Sequence, residues 1–127
     1  MNAADLHDAE ILGVRHVSSQ ATLTFELRTE AGDPLAVRCT GVVGFALDPF
    51  GEQNIIFAIR TYDSSSIPPD LLGGLLPYYK DAISSGASYV QLDPSAGMGG
   101  WIVAQDVRVE RLSAGPRSPD DRTPPEG

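Results

Sequence analysis

Apolar and polar side chains alternate along two neighbouring stretches of the chain, Ala21–Arg28 and Leu35–Thr40. A period of two places every second side chain on the same face of a pleated strand, so that one face can be buried while the other stays wet. The connector between the two stretches contains Gly32, which adopts a positive φ without strain from a Cβ atom. The pattern therefore predicts a β-hairpin, with the second strand continuing through Val43.

Four further segments combine apolar alternation with β-branched and aromatic residues, which favour strands. In the earliest of these segments Ile11 and Leu12 are both apolar but would lie on opposite sides of the strand, so the pattern does not specify which side faces the core. The predicted additional strands are Ala9–His16, Ile55–Tyr62, Ala87–Leu92 and Trp101–Leu112.

A helical segment is predicted between the fourth and fifth strands, because leucines recur at spacings of three and four after Pro69. Gly73 and Gly74 weaken this segment, and Pro77 removes an internal hydrogen bond unless it lies in a first turn. The simplest solution is a turn over Leu71–Leu75 followed by a second helical piece that starts near Pro77 and ends at Ile83. The alternative is a mobile flap.

These elements predict an α+β, mainly β fold with a single domain over residues 1–112. The expected architecture is a curved antiparallel sheet or partly open barrel of about six strands, with one helical segment across an open face or end. Residues 113–127 combine four prolines with charged side chains. That composition predicts a disordered tail, because it cannot bury enough apolar surface to offset the entropy of ordering.

The chain is acidic, with 17 Asp and Glu residues against 9 Lys and Arg residues and a net charge of −8. This balance argues against nucleic acid as a partner, since phosphate binding requires clustered basic side chains. It favours a partner with a basic surface, because opposite fields speed and orient association. The alternative is that the charge serves only solubility.

Cys39 is the single cysteine, so the chain forms no internal disulfide, which is typical of a reducing compartment. Its position among the apolar residues of a predicted strand indicates a buried side chain rather than a reactive thiol. The segment 1–10 lacks the features of a secretory signal, and no apolar run is long enough to cross a membrane. We therefore expect a cytoplasmic protein.

Two groups of side chains are candidates for a ligand site. His7, Asp8 and Glu10 form part of a metal-ligand or acid–base set, but such a site needs further groups brought close by folding, and hydrogen-bonded or solvated side chains are the simpler interpretation. Aromatic residues can line a pocket beneath the helical segment, although core packing is their more common fate. The residues of such a pocket are His7, Asp8, Glu10, Tyr78, Tyr89 and Trp101.

No motif predicts a catalytic residue, a cofactor or a metal site. The glycine-rich stretch 95–100 has no lysine and is followed by a predicted strand, so it is interpreted as a hairpin loop rather than a phosphate cradle. The serine runs at 64–66 and 84–85 lack the context of a nucleophile.

The loop between the third and fourth strands is a candidate contact surface, because polar amides beside an aromatic ring can orient a partner strand or ligand. Its structural alternative is a turn in which those amides bind the backbone. Together with nearby acids, the predicted partner-binding residues are Asp48, Phe50, Glu52, Gln53, Asn54, Asp63 and Asp70.

Several short pieces of the region Leu6–Ile59 carry a resemblance: Leu6–Ala9 before a strand, Gly41–Phe45, and the Phe50–Asn54 segment. These pieces resemble small uncharacterised bacterial proteins with an HDA-type N-terminal motif and a later FxxQN-type segment, some of which are immunity-protein-like. The resemblance implies a bacterial cytosolic protein of unknown biochemistry, with immunity-like binding as one option, and it brings no catalytic residues.

The sequence thus predicts a non-enzymatic, acidic protein-interaction module. The alternative is a small-ligand-binding or enzymatic β-barrel with a pocket under the helical segment 71–83. A cavity lined by the aromatic residues would favour the barrel, whereas a filled interior with an acidic exterior would favour the module.

Overall fold

The computed structural model of the protein describes residues 6–112, so the predicted disordered tail lies outside the described residues. Six antiparallel strands form a closed barrel in the order β1-β2-β3-β6-β5-β4. Their bounds are β1 Glu10–Val17, β2 Thr22–Arg28, β3 Pro34–Leu47, β4 Ile55–Tyr62, β5 Ser88–Ala96 and β6 Gly100–Arg111. The mainly β character predicted from the alternating pattern is confirmed.

The predicted central hairpin is present, formed by β2 and the first part of β3. Leu23 pairs with Cys39 and Leu27 with Leu35, which sends the apolar set of both strands to the same face. That face is the barrel interior, where all four of these side chains are buried. Gly32 adopts a φ of 95° in the connecting turn, as the turn requires.

The barrel is closed, whereas the sequence predicted a curved sheet or a partly open barrel. Closure depends on a short seam at which Glu10 of β1 pairs with Ile55 of β4. The backbone N–H of Ile56 donates to the carbonyl of Ala9 at 2.9 Å, and the N–H of Ile11 donates to the carbonyl of Asn54 at 2.7 Å. Irregular pairing in β1, β3 and β4 helps to bend the sheet, because bulges increase local twist.

A bulge resolves the ambiguity of β1. The pairing with β2 skips Leu12, between Ile11 opposite Leu27 and Gly13 opposite Glu26. Ile11 faces the core before the bulge and Val14 packs against it afterwards, while Leu12 is exposed. The bulge therefore switches which alternate side chains of β1 face the barrel interior, from odd-numbered residues before it to even-numbered residues after it.

Apolar side chains from all six strands occupy the barrel interior. The buried members of this cluster are Leu6, Ala9, Ile11, Leu23, Phe25, Leu27, Leu35, Val37, Cys39, Ile56, Ile59, Val90, Leu92, Met98, Ile102 and Ala104. The barrel is thus a packed core, as small barrels generally are.

Two short helices, α1 Pro69–Gly73 and α2 Pro77–Ser84, replace the one helical segment of the predicted fold class. Pro77 lies in the first turn of α2, where its missing N–H costs nothing. The helices cover the outer face of the barrel through a second buried cluster, in which Ile83 packs near Tyr89 and Val103. No helix of the described residues combines the length and apolar character of a membrane span.

Candidate functional site

The β3–β4 connection, residues Asp48–Asn54, is named here the acidic loop. Its last residue, Asn54, is only 4% exposed. Asn54 Oδ1 accepts hydrogen bonds from the backbone N–H groups of Gly51 and Met98, both at 3.0 Å, and Nδ2 donates to the Gly51 carbonyl at 3.3 Å. The prediction that Asn54 contacts a partner is therefore corrected: its side chain is used inside the molecule, where it joins two loops.

The other predicted contact residues of the acidic loop are on the surface. Asp48, Glu52 and Gln53 are exposed, and the Phe50 side chain is 49% exposed. Neither carboxylate forms an ion pair with any residue in the range 6–112. The loop thus presents the Phe50 ring between two carboxylates that have no ion-pair partner in the described part of the chain.

Asp63 and Asp70 lie beyond the other end of β4. Asp63 Oδ1 accepts hydrogen bonds from the backbone N–H and hydroxyl groups of Ser65 and Ser66, at 2.7–3.1 Å. These donors lower the pKa of the Asp63 carboxyl, with the Ser65 hydroxyl contributing most. Asp70 is exposed in the first turn of α1.

The structure does not bring the predicted partner-binding residues into one patch. The acidic loop precedes the eight residues of β4, and Asp63 follows them. A strand of that length separates its two ends by about 25 Å. The acidic side chains therefore form two separate surfaces.

The proposed pocket residues are also dispersed. His7 Nδ1 lies 3.2 Å from Asp8 Oδ2, with both side chains substantially exposed. Glu10 pairs instead with Arg28, at 3.5 Å between Oε1 and Nη2. The His7 ring packs against Phe57, with 5.4 Å between centroids. These three polar residues lie along the outside of the barrel seam.

Tyr89 and Trp101 stack beneath the helices, with ring centroids 6.1 Å apart. Tyr79 of α2 packs edge-on against Trp101, while Tyr78 points outward and is 66% exposed. The six residues suggested for a pocket therefore do not line one together, and packed aromatic and aliphatic side chains occupy the contact between α2 and the barrel. Burial raises the pKa of the Tyr89 hydroxyl, with Tyr62 adding to the shift.

No group of three or more potential metal-ligating side chains is present among residues 6–112. Cys39 is buried as the sequence predicted. Burial raises the pKa of its thiol to about 11, and the charge of Asp106 contributes to the shift. The thiol is therefore protonated at neutral pH, which disfavours nucleophilic chemistry.

An open depression of about 320 Å³ lies on β1 and β2 rather than under the helices, and it is lined by Gly13, Val14, Arg15 and Glu26. Its walls include one acidic and one basic side chain.

The charge arrangement is a feature that sequence reasoning did not identify. Five of the described arginines are within 4.0 Å of a carboxylate, which leaves Arg15 outside these ion pairs. Within the described range, the acids without an ion-pair partner are Glu26, Glu30, Asp48, Glu52, Asp63, Asp70 and Asp81. Pairing thus neutralises much of the positive charge and leaves an unbalanced negative exterior.

Sequence reasoning also missed Leu76 and Asp81. Leu76 precedes α2 and is 65% exposed, and Asp81 is exposed on the helix itself. The signal available in the sequence was Pro77: once it is placed in the first turn, Tyr79 and Ile83 share a face and Tyr78 lies outside it.

Comparison with solved structures finds similarity to the crystal structure of an uncharacterized protein from Neisseria gonorrhoeae, with a TM-score of 0.53 and 17% sequence identity. The alignment covers 84% of this chain and 93% of that chain. No protein-family model matches the sequence, and the search of curated proteins gave no match. At this identity, the similarity establishes a shared fold and nothing about chemistry.

Proposed function

We propose that this protein is a non-enzymatic cytoplasmic interaction module whose acidic exterior binds a protein partner through that partner's basic surface. Binding of this kind is what immunity proteins use to cover a basic toxin domain, the class suggested by the sequence resemblance. The observation that carries the proposal is the exposed carboxylates of Asp48, Glu52, Asp70 and Asp81, which have no ion-pair partner within residues 6–112. They lie on a scaffold whose interior is packed with apolar side chains.

The alternative of a ligand-binding or enzymatic barrel receives less support. A barrel that binds a small molecule needs an interior or a mouth free of side chains. Here buried residues from every strand meet in the barrel interior, and the helices pack directly on Tyr89 and Val103. The buried thiol of Cys39 has a raised pKa, which also makes it a poor nucleophile.

Electrostatics explains how such a module would work. Unpaired surface carboxylates create a negative field that accelerates encounter with a basic surface and suppresses binding to acidic ones. The effect weakens with salt, since the Debye length falls from about 10 Å at 0.1 M to about 3 Å at 1 M. Binding should therefore depend strongly on ionic strength.

The proposal is tested by affinity capture from lysate of the source organism, with bound proteins identified by mass spectrometry. Two charge-reversed variants, Asp48→Lys with Glu52→Lys and Asp70→Lys with Asp81→Lys, probe the two acidic surfaces. We expect at least one of them to reduce capture of a basic partner by about tenfold or more, because a repulsive charge replaces an attractive one.

The matched control is Glu26→Lys with Glu30→Lys, which changes the net charge equally on the β2 side of the barrel. Capture of a basic partner should survive in this variant and should fall in the wild type as salt rises. If both test variants retain every partner as well as the control does, the acidic surfaces are not the binding surfaces and the proposal fails.

A further inference from the structure

We infer that the outward face at the start of α2 is the docking surface for a basic amphipathic segment of the partner. This surface, named the α2 patch, consists of Leu76, Tyr78 and Asp81 with Asp70 of the preceding helix. The inference rests on the proposed function and deepens it, because it assigns the site and the chemistry of the segment that binds there.

The first support is exposure. Leu76 and Tyr78 are 65% and 66% exposed, the highest values among the exposed large hydrophobic residues of the range 6–112. Leu76 and Tyr78 flank Pro77, which is also exposed, so three consecutive positions contribute apolar surface at the start of α2. Tyrosine is also enriched among residues that dominate binding energy, since it combines a large apolar area with a hydroxyl.

The second support is rigidity. The neighbouring Tyr79 faces the barrel, and its ring lies 5.2 Å from the Trp101 ring. A Cβ atom at Gly44 would come within 2.5–2.8 Å of three atoms of Tyr79, so the ring sits directly on the β3 backbone. Farther along α2, Ile83 is 1% exposed. The helix is therefore anchored on one face while the other is presented to solvent, which limits the entropy lost on binding.

The third support, charge complementarity, identifies the occupant. Asp81 lies three residues after Tyr78 on α2, a spacing that makes their side chains neighbours on the helix surface. Asp70 is exposed on α1, and neither carboxylate forms an ion pair within the described part of the chain. Lys80 is the only basic residue between Arg60 and Arg108. An apolar surface with the Asp81 carboxylate beside it, and with the Asp70 carboxylate on the preceding helix, fits a segment that carries apolar side chains flanked by Lys or Arg.

The test uses the full chain and a synthetic amphipathic peptide of about 18 residues built from Leu and Lys, long enough to form a helix on binding. A peptide with Glu in place of Lys is the charge control. Trp101 is the single tryptophan of the chain and contacts Tyr79, which in turn packs at 5.5 Å against Tyr78. Binding to the α2 patch should therefore change Trp101 fluorescence, and the amide resonances of Leu76 and of residues 78–84 should shift in NMR spectra.

The decisive comparison pairs Leu76→Ser and Tyr78→Ser with Leu12→Ser and Phe57→Ser, which remove two other exposed hydrophobic side chains. We expect the first double variant to weaken the affinity for the Leu/Lys peptide by about tenfold or more, and the second to change it by less than about twofold. All four side chains are at least 47% exposed, so both variants should fold, as checked by their thermal unfolding midpoints.

Equal affinity loss in both double variants, or binding of the Glu peptide as tightly as the Lys peptide, would overturn the α2 patch. Loss of peptide binding in Asp48→Lys with Glu52→Lys, with full binding retained in Leu76→Ser with Tyr78→Ser, would move the site to the acidic loop and leave the proposed function standing. Absence of peptide binding by the wild-type protein would also overturn the α2 patch, whereas the proposed function is decided separately by capture of a basic partner from lysate.

Discussion

Asn54 shows how one buried polar residue determines the geometry of two loops. Its side-chain oxygen accepts the N–H groups of Gly51 and Met98, and its backbone carbonyl accepts the N–H of Ile11 at the barrel seam. Gly97 lies against the Gln53–Asn54 backbone, so any side chain at this position would collide with the Gln53 carbonyl and with Asn54. Its φ of 75° also favours glycine. Buried donors without acceptors are costly, so this position tolerates little change.

Replacing Asn54 with Ala should lower the free energy of unfolding by about 2–4 kcal/mol, because the N–H groups of Gly51 and Met98 lose their acceptor. Urea denaturation followed by circular dichroism measures the change. Gln53→Ala is the control: Gln53 is exposed, and its replacement should cost less than about 0.5 kcal/mol. Equal costs at the two positions would mean that the Asn54 hydrogen bonds contribute no more than surface contacts.

Cys39 should give the protein a distinctive alkaline pH dependence. Its thiol has a pKa of about 11 in the folded state against an ordinary value of 9.0, so between these values the folded chain holds a proton that the unfolded chain has lost. Stability should therefore fall as pH rises from about 9 to about 11, by roughly 1.4 kcal/mol per pH unit from this group. Cys39→Ala should show a shallower decline in denaturation experiments over the same interval. Parallel curves would contradict the assigned pKa.

At the scale of elements, the residues that interrupt helix formation between β4 and β5 determine the bounds of α1 and α2. Gly74 and Pro77 divide the segment, and Pro77 begins a helix that the barrel then stabilises by contact. Helices this short have little stability of their own, so α2 depends on packing of Tyr79 and Ile83 against the outer face of the sheet. The local sequence therefore determines where the helical segment is interrupted, and packing against the barrel determines where α2 lies.

Two glycine replacements separate these contributions. Gly44→Ala should destabilise the protein by about 1–3 kcal/mol and change Trp101 fluorescence, because the added methyl group meets the Tyr79 ring. Gly73→Ala places a methyl group in open space within α1 and should be neutral or stabilising by up to about 1 kcal/mol. Thermal unfolding and fluorescence spectra provide the measurements. If Gly44→Ala changed neither the stability nor the fluorescence spectrum, α2 would be free to move away from β3 without a loss of stability.

At the scale of the whole molecule, the barrel is held unevenly. β3 and β6 pair along their length, from Leu35 opposite Arg111 to Leu47 opposite Gly100. β1 and β4 are joined in the sheet by one residue pair, Glu10 opposite Ile55. The seam is supplemented by backbone bonds that join Asp8 and Ala9 to Ile56. The weakest closure therefore lies between the first and fourth strands.

Hydrogen exchange should reveal this unevenness. The amides of Asp8, Ile11 and Ile56 should exchange through local opening, with lower protection than amides in the middle of β3 and β6, because few hydrogen bonds must break to open the seam. NMR-detected exchange under native conditions measures both sets in one sample. Equal protection at the seam and in β3 and β6 would mean that the barrel opens only by global unfolding.

Much of this architecture could be predicted from local pattern. Strict alternation in β2 and early β3 fixed both the strands and their buried faces, because a period of two leaves one face to bury. The acidic exterior followed from composition, but the two acidic surfaces did not. Burial of Asn54 and exposure of Leu76 depend on which loops lie close together in the folded protein. The sequence alone does not give the distances between such loops.

By itself, the sequence determined the mainly β class, the central hairpin, the interruption of the helical segment and the negative charge, since each depends on backbone preference or on counting charges. Only the tertiary structure decided that the sheet closes and that a bulge at Leu12 switches which alternate side chains of β1 face the barrel interior. It also decided which acids within residues 6–112 pair with arginine and which do not. The physical reason is that closure, parity and ion pairing arise from contacts between residues far apart in the chain, whose energies exist only once the strands are assembled.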